Sequence, residues 1–328
     1  MTQTDKKRVL IIDALNMFLR AYIVDPSLST NGEPIGGFKG SLKIVQKLVR
    51  MTKPNEIVIV WDGPNGSQKR RSLDKNYKAG RKPIRLNRSI APQSEEEQMN
   101  NRVWQQRRSI EYFNEMPIIQ VMIAEVEADD VIAYLTQMEE FAGWQKVIAS
   151  SDKDFLQLCD KETILFRPIQ KKIHNVNNIL EEYKIHPRNF AVARAIVGDP
   201  SDNLPGVPRA GLKTVAKKFN FLLEDKDVKL QEIFDYCEKT EENGKIFTNI
   251  LECKEIVIQN LKLMQLSNPR LSLQCKNRTK YAIANFDHRY NKTEIIKMMN
   301  KDGFGVFNWE SIHSIMNRVS IDKPLEMG

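Results

Sequence analysis

Short runs of Val and Ile recur along this chain, and acidic residues follow each of them closely. The runs cover residues 9–12, 57–60 and 147–149, and a fourth, residues 118–123, precedes a group of acids. Continuous apolar runs of this length are typical of strands buried on both faces. Helical patterns separate them, for example over residues 42–51 and 131–141. The alternation predicts an α/β protein with a parallel sheet and right-handed crossovers.

The acids that follow these runs predict a shared site. Parallel strands end along one edge of a sheet, where open α/β folds bind their ligands, so acids far apart in sequence would face one crevice. The motifs "EADDVIA" and "GDPSDN" bring further acids to the same set. The nine candidates are Asp13, Asp62, Glu127, Asp129, Asp130, Asp152, Asp154, Asp199 and Asp202.

Local spacing constrains which of these acids can meet. Glu127 and Asp130 are three residues apart and would share one helix face. Asp129 can join them only if the helix begins near Ala128, with Glu127 in the preceding turn. Asp152 and Asp154 are two apart in an extended segment, so their side chains would project to the same side.

So many carboxylates in one crevice require cations. Two like charges about 4 Å apart repel by roughly 4 kcal/mol at an effective dielectric constant near 20. Oxygen-only ligation favours Mg²⁺ or Mn²⁺ over zinc or copper. Two such ions can activate a water and stabilise the leaving oxygen in phosphodiester hydrolysis. The acids therefore predict a metal-dependent nuclease or phosphatase.

The basic residues favour a polyanionic partner. The formal net charge is +8, and its distribution is uneven. Between residues 69 and 88 the only acid is Asp74, and the basic residues are Lys69, Arg70, Arg71, Lys75, Lys78, Arg81, Lys82, Arg85 and Arg88. A charge run is often only a solvated face, so this segment needs support from elsewhere.

That support comes from the segment "PGVPRAGLKTVAKKF", residues 205–219. It predicts a tight turn and then a basic helix from near Leu212, within a region after residue 186 where strand signals fade. Gly206 and Gly211 permit close approach of a phosphate, and Lys213 and Lys217 add positive charge. The segment resembles the helix-hairpin-helix that binds duplexes independently of sequence.

The first apolar run and the four cysteines indicate the cellular compartment. Asp13 ends the first apolar run before a signal-peptide core or membrane span could form. The four cysteines show no metal-ligand spacing. We expect a cytoplasmic protein with reduced thiols and no membrane partner.

Seven segments, of which "NGEPIGGFKGSL" is one, together resemble the flap endonuclease and 5′ nuclease family over about residues 8–265. This family includes the 5′ nuclease domain of bacterial DNA polymerase I and phage 5′ to 3′ exonucleases such as phage ribonuclease H. The other six are "IIDALNMFLRAY", "VWDG", "YKAGRKP", "EADDVIA", "SSDKDFLQL" and "GDPSDNLPGVP".

The resemblance implies a PIN-like parallel sheet flanked by helices, with a helical helix-three-turn-helix region. We place the catalytic domain at residues 1–185, including a basic arch at about 64–110, and the helical region at 186–328, with the hairpin at about 198–220. The nine acids are then metal ligands for two or three Mg²⁺ ions, with Mn²⁺ as a substitute, and the hairpin can hold K⁺. Asp13, Asp62, Lys78 and Arg81 are the implied catalytic residues. The implied DNA contacts are Arg70, Arg71, Tyr77, Lys78, Arg81, Lys82, Gly206, Arg209, Gly211, Lys213, Thr214 and Lys217.

The expected activity is that of a 5′ to 3′ exonuclease and 5′ flap endonuclease, acting as a monomer in replication or repair. Its substrates would be DNA with 5′ ends, nicks or flaps, with RNA–DNA hybrids and replication proteins as further partners. Two alternatives remain: a structure-specific DNA-binding protein with weak or no catalysis, and a PIN-like ribonuclease. Arg209 stands where the family usually has glycine, which leaves open the hairpin's backbone geometry and its K⁺ site.

Overall fold

A six-stranded sheet forms the centre of the computed structural model, which describes residues 6–81, 84–90, 93–242 and 244–321. The strands are β1 (Arg8–Asp13), β2 (Glu56–Trp61), β3 (Ile119–Met122), β4 (Gln145–Ala149), β5 (Thr163–Arg167) and β6 (Lys172–His174). Their order is β3-β2-β1-β4-β5-β6. Strands β1 to β5 are parallel, and β6 pairs antiparallel with β5. The predicted α/β class and all four predicted strands are confirmed.

Helices connect and cover these strands. They are α1 (Ala14–Val24), α2 (Gly36–Thr52), α3 (Gln68–Leu73), α4 (Glu95–Asn114), α5 (Ala128–Gln137), α6 (Val176–Tyr183), α7 (Pro187–Val197), α8 (Leu212–Lys218), α9 (Leu230–Lys239), α10 (Lys245–Glu252), α11 (Lys254–Met264), α12 (Leu273–Ala284), α13 (Lys292–Lys301) and α14 (Trp309–Ile321). The helical pattern predicted at 131–141 is divided between α5 and a short 3₁₀ helix, Glu139–Phe141.

Both faces of the sheet are buried at its central strands β1, β2 and β4, which explains the apolar runs in these strands. Along β1, Val9 and Ile11 pack into one core with residues of α5, α7 and α8. Leu10 and Ile12 face the opposite core, where residues of α1, α2, α4, α13 and α14 pack. The first core joins residues on both sides of the predicted boundary near residue 185, and that boundary stays a prediction.

The sheet geometry places the predicted acids at one edge. Asp13 is the last residue of β1, Asp62 follows β2 directly, and Ser150 to Asp152 follow β4. Since β1 lies between β2 and β4 and is parallel to both, these three strand ends are neighbours. Helix α5 begins at Ala128 with Glu127 as its N-cap. This is the helix start that allows Asp129 to join the same site as Glu127.

No helix in the described part of the chain is long and apolar enough to cross a membrane. All four cysteines are free thiols.

The turn after α7 is held by close backbone contact. The amide of Val207 donates to the carbonyl oxygen of Ile196 at 2.8 Å. The side-chain amide of Asn260 donates to the carbonyl oxygens of Ala195 and Pro205 at 2.9 and 2.8 Å. A Cβ atom at Gly206 would lie 1.8 Å from the carbonyl oxygen of Val197. Only glycine fits this approach without a backbone shift.

We predict that Gly206→Ala lowers the free energy of unfolding by about 2 kcal/mol or more, because the turn must move off α7. Gly211→Ala is the matched control: its φ is −87° and no described atom lies within 4 Å of the added Cβ. The control should change stability by less than about 1 kcal/mol. Urea denaturation measures both, and equal losses would contradict the prediction.

Candidate active site

Asp13 forms the floor of the acidic site. Its Oδ1 accepts from the amide of Asn16 at 3.1 Å, capping α1, and its Oδ2 accepts from the hydroxyl of Ser150 at 2.8 Å. The side chain is therefore fixed by β1, α1 and the segment after β4 together. Burial raises the pKa of Asp13 to about 7, and the nearby charges of Asp62 and Asp152 act in the same direction.

The start of α5 is tied to the end of β2. Asp62 accepts from the amide of Ala128 at 2.9 Å, which satisfies one of the free amides of the first turn. Glu127, immediately before the helix, accepts from Lys78 Nζ at 2.7 Å and from the Tyr77 hydroxyl at 3.2 Å, and it also pairs with Arg70. Burial favours the neutral form of Glu127, but Arg70 and Lys78 outweigh it and lower its pKa.

The loop after β4 and the turn after α7 supply the remaining acids. The Asp154 amide donates to Asp152 Oδ1 at 2.8 Å. In the turn, Asp199 accepts from the amide and hydroxyl of Ser201 at 2.9 and 2.7 Å. Asp202 pairs with Arg81, and its carbonyl oxygen accepts from the Lys78 amide at 2.8 Å. Acids from β1, β2, α5, the β4 loop and the hairpin turn thus meet at one place.

A small cavity of about 30 Å³ lies among these side chains. Its charged and polar lining residues are Arg70, Tyr77, Lys78, Arg81, Asp129, Asp152, Asp154 and Asp202. This volume holds one or two water-sized groups, since a single water needs at least about 10–15 Å³ on the same measure. The cavity adjoins a wider groove of about 650 Å³ that contains Asp62 and Glu127 together with Arg71, Lys75, Lys78 and Arg81.

Four of the acids have raised pKa values because protein surrounds them and like charges lie near. Desolvation is the main cause for Asp129, Asp152 and Asp154, and repulsion between neighbouring carboxylates adds to it. The pKa of Asp154 rises to about 7. Asp199 differs, because hydrogen bonds from Ser201 and the charge of Arg194 overcome burial and lower its pKa.

The donor set fits hard divalent cations. It consists of carboxylate oxygens around a small cavity, and burial together with neighbouring carboxylates raises the pKa of several of them. Among the described residues, however, no three His, Cys, Asp or Glu side chains converge tightly enough to form a ready metal site. Basic side chains hold several of the acids instead, so binding of ions would require these ion pairs to rearrange.

Asp130 is held apart from the other predicted ligands. Its Oδ1 accepts from the amide of Arg270 at 3.0 Å, and its Oδ2 pairs with Arg70 at 2.9 Å. It is buried and does not line the cavity or the groove. Protein groups therefore hold both of its oxygens in this structure, and its role as a metal ligand stays a prediction.

Arg70 and Tyr77 are likewise buried. Arg70 pairs with both Glu127 and Asp130, and its Nε donates to the carbonyl oxygen of Leu263 at 3.0 Å. Only 5% of the Arg70 side chain is exposed. Tyr77 nevertheless lines the groove, along which Arg71 is exposed, and DNA contact by Arg70 and Tyr77 stays a prediction. Lys82, another predicted contact, lies outside the described residues.

Residues 198–211 join α7 to the short helix α8 and contain the 3₁₀ helix Pro200–Asp202. Arg209 has φ of +66°, so it adopts the left-handed backbone that glycine favours. This backbone conformation is therefore present at position 209 although the residue is not glycine. Arg209, Gly211, Lys213 and Lys217 are exposed, while Gly206 and Thr214 are half-buried.

Arg194 is a site residue that the sequence analysis missed. It lies in the last turn of α7 and pairs with Asp154 and Asp199. The sequence feature that could have indicated Arg194 is its position one helical turn before the "GDPSDN" motif. A helix pattern alone does not show which way such a residue points.

Comparison with known proteins agrees with this geometry. A family model described as "5'-3' exonuclease, N-terminal resolvase-like domain" matches residues 8–184. A 5'-3' exonuclease of Buchnera aphidicola subsp. Acyrthosiphon pisum is 30% identical over 280 residues, which cover 85% of this chain and 84% of that protein. DNA polymerase I of Caldicellulosiruptor bescii is 30% identical over 71% of this chain and 26% of the polymerase.

Among solved structures, the bacteriophage T5 flap endonuclease in a complex with DNA and metal ions has a TM-score of 0.63 at 17% identity. The match covers 95% of this chain and 100% of that one. The fold is therefore PIN-like, with a central sheet flanked by helices. The chain belongs to the 5'-3' exonuclease family, as the family model and the Buchnera relative show.

We predict that Arg70→Met lowers the free energy of unfolding by about 3 kcal/mol or more in EDTA, because it leaves buried Asp130 without a cation and Glu127 with Lys78 alone. Arg71→Met removes the neighbouring exposed charge and should cost less than about 0.5 kcal/mol. Urea denaturation of both variants is the measurement. A loss at Arg70 no larger than at Arg71 would show that the buried ion pairs are not structural.

Proposed function

We propose that this chain hydrolyses phosphodiester bonds of DNA near 5′ ends and at 5′ flaps, with divalent metal ions, Mg²⁺ above all, held by its acidic cluster. The observation that carries the proposal is that six predicted acids line one cavity and the basic groove beside it, while Asp13 and Asp199 lie near enough to interact with these acids electrostatically. Family membership and the DNA and metal ions named for the T5 flap endonuclease support it.

The residues that would hold the ions are Asp13, Asp62, Glu127, Asp129, Asp152, Asp154, Asp199 and Asp202. When bound, two or three Mg²⁺ ions, or Mn²⁺ in their place, would activate a water and stabilise the leaving oxygen. The chain's own part is to fix the carboxylates. Ser150 and Asn16 orient Asp13, and the Ala128 amide orients Asp62.

Lys78 and Arg81 are the residues best placed to receive the scissile phosphate. Both line the acidic cavity as well as the basic groove. In this structure Lys78 pairs with Glu127 and Arg81 with Asp202, so each cation already lies beside a proposed metal ligand. Once ions neutralise those acids, the two cations can turn to phosphate oxygens and stabilise their negative charge.

The hairpin turn would hold the duplex beyond the cleavage site. Arg209, Lys213 and Lys217 provide exposed charge there, and Gly211 leaves open space at the start of α8. We further propose that this turn binds K⁺ and that RNA–DNA hybrids are also substrates. The setting proposed is a monomer in the cytoplasm that acts beside replication proteins.

The decisive experiment is cleavage by Asp152→Asn. We expect no detectable cutting of a 5′-flap, a nicked duplex or an RNA-primed duplex in Mg²⁺, because the substitution removes a carboxylate charge from the cavity. Flap binding in Ca²⁺ should stay within about threefold of wild type, since most affinity comes from phosphate contacts elsewhere.

Asp160→Asn is the matched control for this experiment. Asp160 caps the turn before β5 by accepting from the amides of Glu162 and Thr163, which asparagine can still do. The control should cut at the wild-type rate. If wild-type protein binds flaps but cuts none of the three substrates in Mg²⁺ or Mn²⁺, the chain is a structure-specific binding protein instead.

A further prediction concerns Arg209. Arg209→Gly should raise the free energy of unfolding by about 0.5–1 kcal/mol, because the left-handed backbone costs an L-residue about 1–2 kcal/mol and glycine's greater unfolded-state freedom offsets part of that gain. It should also weaken duplex binding and reduce the slope of log K against log salt by about 1, as expected for one lost phosphate contact.

Binding is measured by fluorescence anisotropy across a salt series, with Arg289→Gln as control. Arg289 is exposed, pairs with Asp287 and lies in the loop before α13. An unchanged slope in Arg209→Gly would mean that Arg209 contributes no phosphate contact.

A further inference from the structure

Arg194 connects two acidic segments of the site through one guanidinium group. Its Nε donates to Asp154 Oδ1 at 3.1 Å, its Nη2 pairs with Asp199, and its Nη1 donates to the carbonyl oxygen of Gly198 at 3.1 Å. Only 13% of its side chain is exposed, and the two carboxylates are 20% and 16% exposed. All three nitrogen atoms are therefore engaged within the protein.

The two carboxylates come from separate parts of the fold. Asp154 begins the 3₁₀ helix after β4, and Asp199 begins the turn after α7. Their charges repel each other, as they do the charge of Asp152. Arg194 offsets this repulsion with a permanently charged, planar group whose donors suit carboxylate oxygens.

Asp13 and Asp129 have no comparable fixed partner among the described residues. Asp13 receives hydrogen bonds from two neutral groups, and Lys78 lies near Asp129 but pairs with Glu127. The cluster thus contains acids without a fixed cation, Asp13 and Asp129, and a pair that one guanidinium group already joins. A metal ion that reached the pair would have to displace the guanidinium or share its oxygens.

We propose that Arg194 is a resident counter-ion that holds Asp154 and Asp199 together before any metal binds, and that it weakens divalent-ion binding on that side of the cluster. This makes Arg194 a positioning residue, and the inference rests on the proposed metal-dependent function. Its consequence is a site with unequal affinities, in which the ion nearest Asp154 and Asp199 binds last.

The test is Mn²⁺ binding, followed by electron paramagnetic resonance of the free ion, for wild type, Arg194→Gln and Arg194→Lys. We expect the weakest Mn²⁺ affinity to tighten on the order of tenfold in Arg194→Gln, because a charge that repels the ion has gone. Arg194→Lys keeps the charge and should stay within about threefold of wild type. Arg188→Gln removes an exposed charge from the same helix and should change nothing.

Melting temperature gives an independent readout. Arg194→Gln should melt lower than wild type in EDTA and recover most of that loss in 10 mM Mg²⁺, since ions then replace the missing charge. Three outcomes would each overturn the inference. The first is an equal loss of melting temperature in Arg194→Gln with and without Mg²⁺, and the second is unchanged or weaker Mn²⁺ binding by that variant. The third is a tenfold tightening of Mn²⁺ binding in Arg194→Lys as well.

Failure of this inference can be distinguished from failure of the proposed function. If wild-type protein binds no Mn²⁺ and shows no melting shift in Mg²⁺, the metal-dependent function itself is wrong. If wild-type protein binds Mn²⁺ and Arg194→Gln binds it identically, only the role of Arg194 is wrong.

Discussion

Repulsion between carboxylates at the end of a parallel sheet is the constraint on which the rest of this site depends. Parallel strands bring Asp13, Asp62 and the loop containing Asp152 to one edge, whatever their separation in sequence. Removing such groups from bulk water raises the free energy of their charged forms, and their proximity raises it further. The fold can keep this arrangement only because basic side chains from other elements approach the same edge.

Those basic side chains fall into two groups with different consequences. Arg70 and Arg194 are 5% and 13% exposed and each pairs with two acids, so they act as fixed parts of the framework. Lys78 and Arg81 belong to the segment that follows α3, and their side chains are 17% and 53% exposed. Under the proposed function, Arg81 at the rim can exchange a carboxylate for a phosphate without loss of the fold, and Lys78 can do so once its pair with Glu127 opens. The same charges can therefore stabilise the protein alone and bind its substrate later.

The sequence predicted the framework of the site because that framework depends on short-range patterns. Apolar runs marked β1 to β4, and the acids after them marked the functional edge. Strands β5 and β6 were missed, since β5 is a short mixed segment and β6 an exposed edge of three residues. The sequence also did not predict which charged side chains form buried ion pairs. The charge run around Arg70 resembled a solvated face, and only the packing of α11 against α7 and α3 shows that its guanidinium is enclosed.

Arg209 shows that a residue other than glycine can hold a left-handed backbone in the turn after α7. Its φ is +66°, in a turn where Gly206 approaches the end of α7 and Asn260 donates to two carbonyl oxygens. These contacts hold the turn close to α7. An arginine in this backbone conformation costs free energy relative to glycine. Its side chain is exposed, as are those of Lys213 and Lys217. A cation placed there by a strained backbone is more consistent with selection for phosphate binding than for stability.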